Sequence, residues 1–267
     1  MKYYQKKSKG FKNKKLNTNS ELISRSKEKE LQDEETRALQ FMQKGKFERA
    51  EHIYKKLMSQ NHINHIILNN LAAILGIRNK EDEMMNLLKK SINIHPNNPE
   101  AYNNIGTLYE NKGNIKLAII SYKKAISFNN NDPTLYYNLG NAFKKYSNNK
   151  GAIESYLIAI KIKPNYISAL NNVGNALNEE KKYDLAIKYL KKAMLLNSQD
   201  PEIHYNLGNV LKNIGDNHNA AKYFKSALKL YPNYPQANNN LGIILQQEGK
   251  IKEANLLFNK ALISDPE

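Results

Sequence analysis

The sequence contains no cysteine and no tryptophan among its 267 residues, and it has only 12 glycines and 8 prolines. Without cysteine, the chain can form neither disulfides nor thiolate metal sites. Long hydrophobic runs are also missing, because the longest, Leu71–Ile77, is far too short to cross a bilayer. The basic first residues are not followed by an apolar stretch of signal-peptide length. These absences predict a cytoplasmic protein.

The short signatures of common enzymes are absent as well. There is no P-loop, no glycine-rich dinucleotide fingerprint, no G-x-S-x-G and no H-E-x-x-H. His62 and His65 have a spacing that suits two metal ligands on a helix, but no acidic or sulfur ligand is near them in sequence, so a solvated turn is favoured. Carboxylates cluster at 33–35, 81–83 and 179–180, at predicted helix starts or ends. A solvated helix terminus is favoured there over an acid–base pair, since Asp and Glu are favourable at helix N-termini. We expect no catalytic residue, no metal and no cofactor.

The charge of +16 is concentrated partly at the start of the chain. Residues 1–30 contain ten lysines and arginines against three glutamates, with few aliphatic residues, which predicts a basic, disordered tail. Tyr3, Tyr4 and Phe11 alternate with lysines there, a mixture that can bind nucleic acid or an anionic membrane by charge and stacking. A solvated tail is the commoner reason for such a charge run.

From residue 31 onward the sequence repeats every 34 residues, as the spacing of Gly140, Gly174 and Gly208 shows. Aligning on these glycines gives seven blocks without a gap: 31–64, 65–98, 99–132, 133–166, 167–200, 201–234 and 235–267. In each block, apolar or small residues at repeat positions 4, 7, 8 and 11 predict one helix, and those at positions 20, 24 and 27 predict a second. A fixed period of this length is typical of stacked repeats.

The repeat resembles the tetratricopeptide repeat (TPR), in which Leu-Gly stands at positions 7–8 and alanine at positions 20 and 27. That resemblance implies an all-α fold, a right-handed α-solenoid (superhelix) of about seven helix-turn-helix repeats over residues 31–267. Small side chains at positions 8 and 20 would let the paired helices approach closely. The residues predicted to do so are Gly106, Ala118, Gly140, Ala152, Gly174, Ala186, Gly208, Ala220, Gly242 and Ala254. Blocks one and two depart most, with Leu57 and Ser91 at position 27 and Met84 at position 20.

Asparagine recurs on the helix face opposite positions 4, 7, 8 and 11, which the helical periodicity leaves free of the second helix. It fills position 6 in six of the seven blocks and position 9 in three: Asn70, Asn104, Asn138, Asn172, Asn206 and Asn240, with Asn141, Asn175 and Asn209. Asparagine makes up 40 of the 267 residues, so inheritance by duplication is the alternative explanation. An asparagine amide has the donor and the acceptor that one peptide unit requires.

The asparagine column resembles the ladder that lines the TPR superhelix of O-linked N-acetylglucosamine transferases. The resemblance implies a non-catalytic scaffold or adaptor that binds an extended peptide segment of a partner protein. The lysines and arginines at positions 2 and 6 with which other TPR proteins clamp acidic chaperone tails are absent here.

Two further interpretations stay open. One is a substrate-recognition module of a glycosyltransferase- or sulfotransferase-type enzyme whose catalytic domain lies outside this chain. The other is a polyanion- or membrane-tethered factor that acts through the basic tail. No following repeat covers the apolar residues of the last helix, which are Leu256, Leu257, Phe258, Leu262 and Ile263. Three explanations stay open: the last helix tolerates this exposure, the chain self-associates there, or a following segment is absent.

Overall fold

A computed structural model describes the backbone of residues 8–264 and the side chains of residues 25–264. It contains fourteen helices and no strand in this range, which confirms the predicted all-α fold with two helices per repeat. The helices are α1 (Ser8–Gln43), α2 (Phe47–Ser59), α3 (His65–Ile77), α4 (Glu81–Ile94), α5 (Pro99–Asn111), α6 (Ile115–Phe128), α7 (Pro133–Lys145), α8 (Asn149–Ile162), α9 (Ile167–Glu179), α10 (Tyr183–Leu196), α11 (Pro201–Asn213), α12 (Asn217–Leu230), α13 (Pro235–Gln247) and α14 (Ile251–Ser264).

Each repeat turns from its first to its second helix through a residue at position 15 with positive φ. Glycine supplies this left-handed conformation in four repeats, at Gly45, Gly113, Gly215 and Gly249, whereas Asn79, Ser147 and Lys181 adopt it in the others. The residue that follows closes the helix end; for example, the Asn114 amide donates to the Tyr109 carbonyl at 2.8 Å. This is the hydrogen bond of a Schellman motif, which explains why every first helix ends at the same repeat position.

The chain divides into two compact units, and the first comprises Met1–Leu108. Its core is formed by Ala38, Ala50, Tyr54, Leu57, Ile67 and Ile74, from α1, α2 and α3. Helix α1 begins at Ser8 and crosses residue 30, where the composition predicted the end of a tail. Residues 25–30 are all exposed, so this part of α1 buries no apolar surface. Residues 1–7 lie outside the described residues, and a separate role for the tail stays a prediction.

The unusual residues of repeat 2 are accommodated in the first unit by compensating neighbours. Met84 is 6% exposed, and its sulfur would lie 3.0 Å from a Cβ at Gly76, so the glycine makes room for the larger side chain. Ser91, where the family has alanine, is fully buried. Its hydroxyl donates to Asn69 Oδ1 at 2.8 Å and accepts from Asn98 Nδ2 at 2.9 Å.

The second unit, Tyr109–Glu267, is built by consecutive packing of helices α6 to α14. Glycine at position 8 lies directly against the residue at position 24 of the same repeat. A Cβ on Gly140, Gly174, Gly208 or Gly242 would come within 2.5 to 2.6 Å of Tyr156, Leu190, Phe224 or Phe258. The position-20 alanines, Ala118, Ala152, Ala186, Ala220 and Ala254, are all fully buried, and Gly106 in the first unit is buried too.

No helix in the described part of the chain combines the length and the apolar character that a membrane span requires. In the last helix, α14, Leu256, Leu262 and Ile263 are 58%, 64% and 82% exposed. Leu257 and Phe258, which the sequence analysis placed on the same uncovered face, are instead half-buried, because the Phe258 ring packs against Gly242. Self-association through this face stays a prediction.

Candidate peptide-binding face

The predicted asparagines lie on the first helices of the repeats. Asn70 and Asn104 are on α3 and α5 within the first unit. The other seven are in the second unit, with two on each of α7, α9 and α11 and Asn240 on α13. In the second unit we call positions 5, 6, 9 and 12 of α7, α9, α11 and α13 the first-helix face. These positions form a stripe on each helix because they recur at three- and four-residue intervals.

On the first-helix face, asparagines of consecutive repeats are hydrogen-bonded to each other. Asn172 Nδ2 donates to Asn141 Oδ1 at 3.0 Å, and Asn240 Nδ2 donates to Asn209 Oδ1 at 2.8 Å. In both pairs a position-6 amide donates to the position-9 amide of the preceding repeat. The asparagines therefore join neighbouring repeats, a role that the sequence alone did not suggest.

The helical periodicity of the sequence predicted that position 6 is free of packing, but in the structure this position is partly or fully buried. Asn206 is 5% exposed and Asn240 is 9% exposed, and Asn206 Nδ2 donates to Asn171 Oδ1 at 3.0 Å. The reason is that α9 and α11 contact each other, so position 6 lies between consecutive first helices. In the first unit, Asn70 Nδ2 likewise donates to the Tyr54 hydroxyl at 3.0 Å.

The remaining predicted asparagines differ in how much of their hydrogen-bonding capacity is used. Asn104, Asn138 and Asn175 are half-buried. Asn138 has an interaction partner within the protein. The side chains of Asn104 and Asn175 make no hydrogen bond to any residue between 25 and 264. These two amides are available to a ligand.

Two tyrosine clusters combine residues of this face with the tyrosine that precedes α9 or α13, and the sequence analysis did not single them out. The Tyr137 cluster comprises Tyr137, Asn141, Lys144, Tyr166 and Asn172; the Tyr205 cluster comprises Tyr205, Asn209, Lys212, Tyr234 and Asn240. The rings of Tyr137 and Tyr166 have centroids 5.1 Å apart, and those of Tyr205 and Tyr234 are 4.9 Å apart. Each position-6 amide points at the position-5 hydroxyl, at 3.4 Å for Asn172 and Tyr137 and at 3.5 Å for Asn240 and Tyr205.

Corresponding residues of the two clusters are 68 residues apart, so the structural unit of the face is a pair of repeats. Helices α7 and α11 begin after Asp132 and Asp200, whose carboxylates accept from the backbone amides of Thr134 and Glu202. Helices α9 and α13 begin instead after a tyrosine that provides no side-chain cap. The sequence carries the signal in its alternating loops, with Asp-Pro at 132–133 and 200–201 and Pro-Asn-Tyr at 164–166 and 232–234.

Burial shifts the ionisation of the groups on and below this face. Desolvation raises the pKa of Tyr166, and nearby Tyr137 and Asp132 raise it further. Desolvation also raises the pKa of Tyr156, whose hydroxyl donates to Asn141 Oδ1 at 2.7 Å beneath the Tyr137 cluster. Burial lowers the pKa of Lys212. Tyr156 and Tyr166 therefore stay neutral hydrogen-bonding groups at physiological pH.

The histidines that have the spacing of metal ligands have separate partners in the first unit. His62 Nε2 lies 3.2 Å from Glu35 Oε2, whereas the ring of His65 stacks on that of His95 with centroids 4.5 Å apart. In the part of the chain that the structure describes, no three metal-ligating side chains come together.

Sequence profiles described as tetratricopeptide repeats match much of the chain. The matched residues are 109–146 and 174–215, 201–234, 87–120 and 223–254, and 133–166. Together they cover 87–166 and 174–254, more than half of the sequence. No curated protein matches the chain in sequence.

Solved structures share this fold at low sequence identity. MamA is 25% identical with a TM-score of 0.55, over 61% of this chain and 95% of MamA. PilF of Pseudomonas aeruginosa is 17% identical with a TM-score of 0.67, over 76% of this chain and 92% of PilF. YrrB, described as a TPR protein with an unusual peptide-binding site, is 23% identical with a TM-score of 0.55, over 67% of this chain and 93% of YrrB.

Proposed function

Because this chain belongs to the tetratricopeptide repeat family, we propose that it is a non-catalytic scaffold that binds an extended segment of a partner protein. The binding surface is the first-helix face of the second unit. The segment lies across consecutive repeats, and its backbone is held by the asparagines.

The hydrogen-bonding capacity left over in the Asn141–Asn172 pair carries this proposal. Asn172 Nδ2 donates to Asn141 Oδ1. The other polar atoms of the two amides, Asn141 Nδ2 and Asn172 Oδ1, have no hydrogen-bond partner among residues 25–264. One unused donor and one unused acceptor, on amides that are fixed by their mutual bond, match the C=O and the N–H of a peptide unit. Fixing these amides before the ligand arrives lowers the entropy cost of binding.

The tyrosines beside the asparagines support the same function. Tyr137 and Tyr166 are half-buried, and paired aromatic rings offer apolar surface together with a polar tip, as extended peptides require. Tyrosine also loses little conformational freedom on binding. The described peptide-binding site of YrrB gives a precedent within this fold.

The chemistry of the face supports a binding role over catalysis. Its principal side chains are asparagines, which do not titrate, and tyrosines such as Tyr166, whose pKa is raised. Neither is suited to general acid–base work near neutral pH. We therefore assign no catalytic residue to this face.

Site-specific photo-cross-linking tests the proposal. A benzoylphenylalanine in place of Asn175, which is half-buried and has no side-chain hydrogen bond in the described part of the chain, should cross-link to one contiguous segment of a partner protein. The control places the same cross-linker at Asn255, an exposed asparagine on α14, and should not capture that segment. Equal capture at both positions, or capture at Asn255 alone, would contradict the proposal.

A further inference from the structure

The two tyrosine clusters are alike at five repeat positions but differ in what lies beside their lysine. In the Tyr137 cluster, Lys144 forms an ion pair with Glu179, at position 13 of the next repeat. It also donates to Asn149 Oδ1 at 3.1 Å. The residue that corresponds to Glu179 in the Tyr205 cluster, 68 residues later, is Gln247.

Lys212 therefore lacks the carboxylate that its counterpart has. Its ammonium donates to Asn240 Oδ1 at 2.9 Å, and no carboxylate among residues 25–264 lies within ion-pair distance of it. Gln247 is bonded elsewhere, since its Oε1 accepts from Asn217 Nδ2 at 3.2 Å. Burial lowers the pKa of Lys212, and no nearby anion offsets this effect.

A second unused donor lies beside this ammonium. Asn209 is one turn before Lys212 on α11, and its Oδ1 accepts from Asn240 Nδ2. Asn209 Nδ2 has no partner in the described part of the chain. Asn240 thus binds Asn209 through its amide nitrogen and Lys212 through its amide oxygen. Asn209 and Lys212 each keep N–H groups that can donate to a ligand.

We propose that Lys212 and Asn209 bind the carboxylate of an acidic side chain in the bound segment. This inference rests on the proposed function and gives it specificity, because the asparagines alone would bind any peptide backbone. The bound carboxylate occupies the place that Glu179 occupies beside Lys144. The Tyr137 cluster therefore accepts a neutral stretch of the segment, and the Tyr205 cluster accepts an acidic residue.

The carboxylate is the favoured ligand for two reasons. A half-buried ammonium without a counter-ion gains most from an anionic partner, because charge-assisted hydrogen bonds are stronger than neutral ones. The internal comparison also identifies the anion, since the protein itself uses a glutamate at the equivalent position. The carbonyl of Asn240 is only a partial substitute for a full negative charge.

Two capped tripeptides that differ in one side chain test the inference. N-acetyl-Gly-Glu-Gly-amide and N-acetyl-Gly-Gln-Gly-amide are titrated into protein labelled with ¹⁵N at asparagine, and the side-chain amide signals are followed by NMR. The glutamate peptide should shift the Asn209 and Asn240 signals in a saturable manner, with an affinity about tenfold higher than that of the glutamine peptide.

Variants at the equivalent positions 179 and 247 should have opposite effects. Both positions carry exposed side chains, so the substitutions should not disturb the fold. Gln247→Glu supplies Lys212 with its own carboxylate and should abolish the preference for the glutamate peptide. Glu179→Gln removes the partner of Lys144 and should create a second glutamate-selective response, at Asn141. In a chain that carries Glu179→Gln, adding Lys212→Gln should abolish the response at Asn209 and Asn240. The response at Asn141 should stay unchanged.

Equal binding of the two peptides, or no saturable shift at Asn209 and Asn240 with either, would overturn the carboxylate site. So would a glutamate preference that survives Gln247→Glu. None of these results affects the cross-link expected at Asn175, so failure of this inference is distinguishable from failure of the proposed function.

Discussion

Replacing Ser91 with alanine should destabilise the first unit, although alanine is the residue that the family has at this position. Ser91 is fully buried, as is Asn98, and Asn69 is 5% exposed. The Ser91 hydroxyl connects the two amides, and Asn98 in turn caps α5 by accepting from the Ala101 amide at 3.1 Å. The substitution removes the centre of a buried polar network.

The expected decrease in the free energy of unfolding follows from the hydrogen bonds that remain after Ser91→Ala. Without the hydroxyl, Asn98 Nδ2 keeps only a 3.4 Å contact with Asn69 Oδ1. Leaving buried polar groups without good partners costs about 1–3 kcal/mol, and the higher helix propensity of alanine returns roughly 0.5 kcal/mol. We expect the free energy of unfolding of this region to fall by about 1–2 kcal/mol.

Native-state hydrogen exchange of the α3 and α4 amides measures this change locally, which suits a repeat protein whose unfolding need not be two-state. Ser121→Ala is the matched control. Ser121 is also buried on a second helix, but its hydroxyl donates only to the Leu117 carbonyl of its own helix, at 2.8 Å. The control should be neutral or slightly stabilising. If Ser91→Ala proves as harmless as Ser121→Ala, the network has no net stabilising effect and the reasoning is wrong.

Three further predictions concern packing and pH. Gly208→Ala should lower the midpoint of urea unfolding, because its methyl group would meet the buried Phe224 ring at 2.6 Å. Gly242→Ala should lower it less, because the facing ring of Phe258 is only half-buried. Equal decreases for the two variants would contradict this reasoning. The raised pKa of Tyr234 stabilises the fold below pH 10 and loses its effect as the pH rises above that value, so Tyr234→Phe should reduce the alkaline loss of stability seen in thermal melts. Glu51 has a lowered pKa, chiefly through its hydrogen bond to Lys55; its contribution is lost as the pH falls below about 4.5, and Glu51→Gln should flatten the acid limb of the same melts.

The repeat architecture was predictable because its causes lie within single repeats. The 34-residue spacing, the helix periodicity and the small residue at position 8 act locally, so the sequence alone was enough to assign Gly140 and Gly208 to close helix contacts. The turn residue at position 15 also follows a local rule where it is glycine. Ser147 and Lys181 at the same place show that the array imposes this conformation on residues that do not favour it.

The candidate site was predictable only in part, because its hydrogen bonds join one repeat to the next. A helical wheel describes one helix, so it placed Asn206 on a free face, whereas the contact between α9 and α11 buries it. The tyrosines at position 5 were visible in the sequence, but their importance depends on an alternation between pairs of repeats. Lys212 became notable only when its surroundings could be compared with those of Lys144.

Binding of the cross-linked partner segment to asparagine variants tests the central claim most directly. A synthetic peptide of that segment should bind Asn172→Ala/Asn175→Ala roughly 30-fold more weakly than the unmodified chain, since two contacts of about 1 kcal/mol each are lost. The exposed double variant Asn255→Ala/Asn259→Ala should bind as tightly as the unmodified chain, with unchanged helix content in all three proteins. Equal affinities for the two double variants would mean that the asparagines of the first-helix face only join the repeats and do not bind a partner.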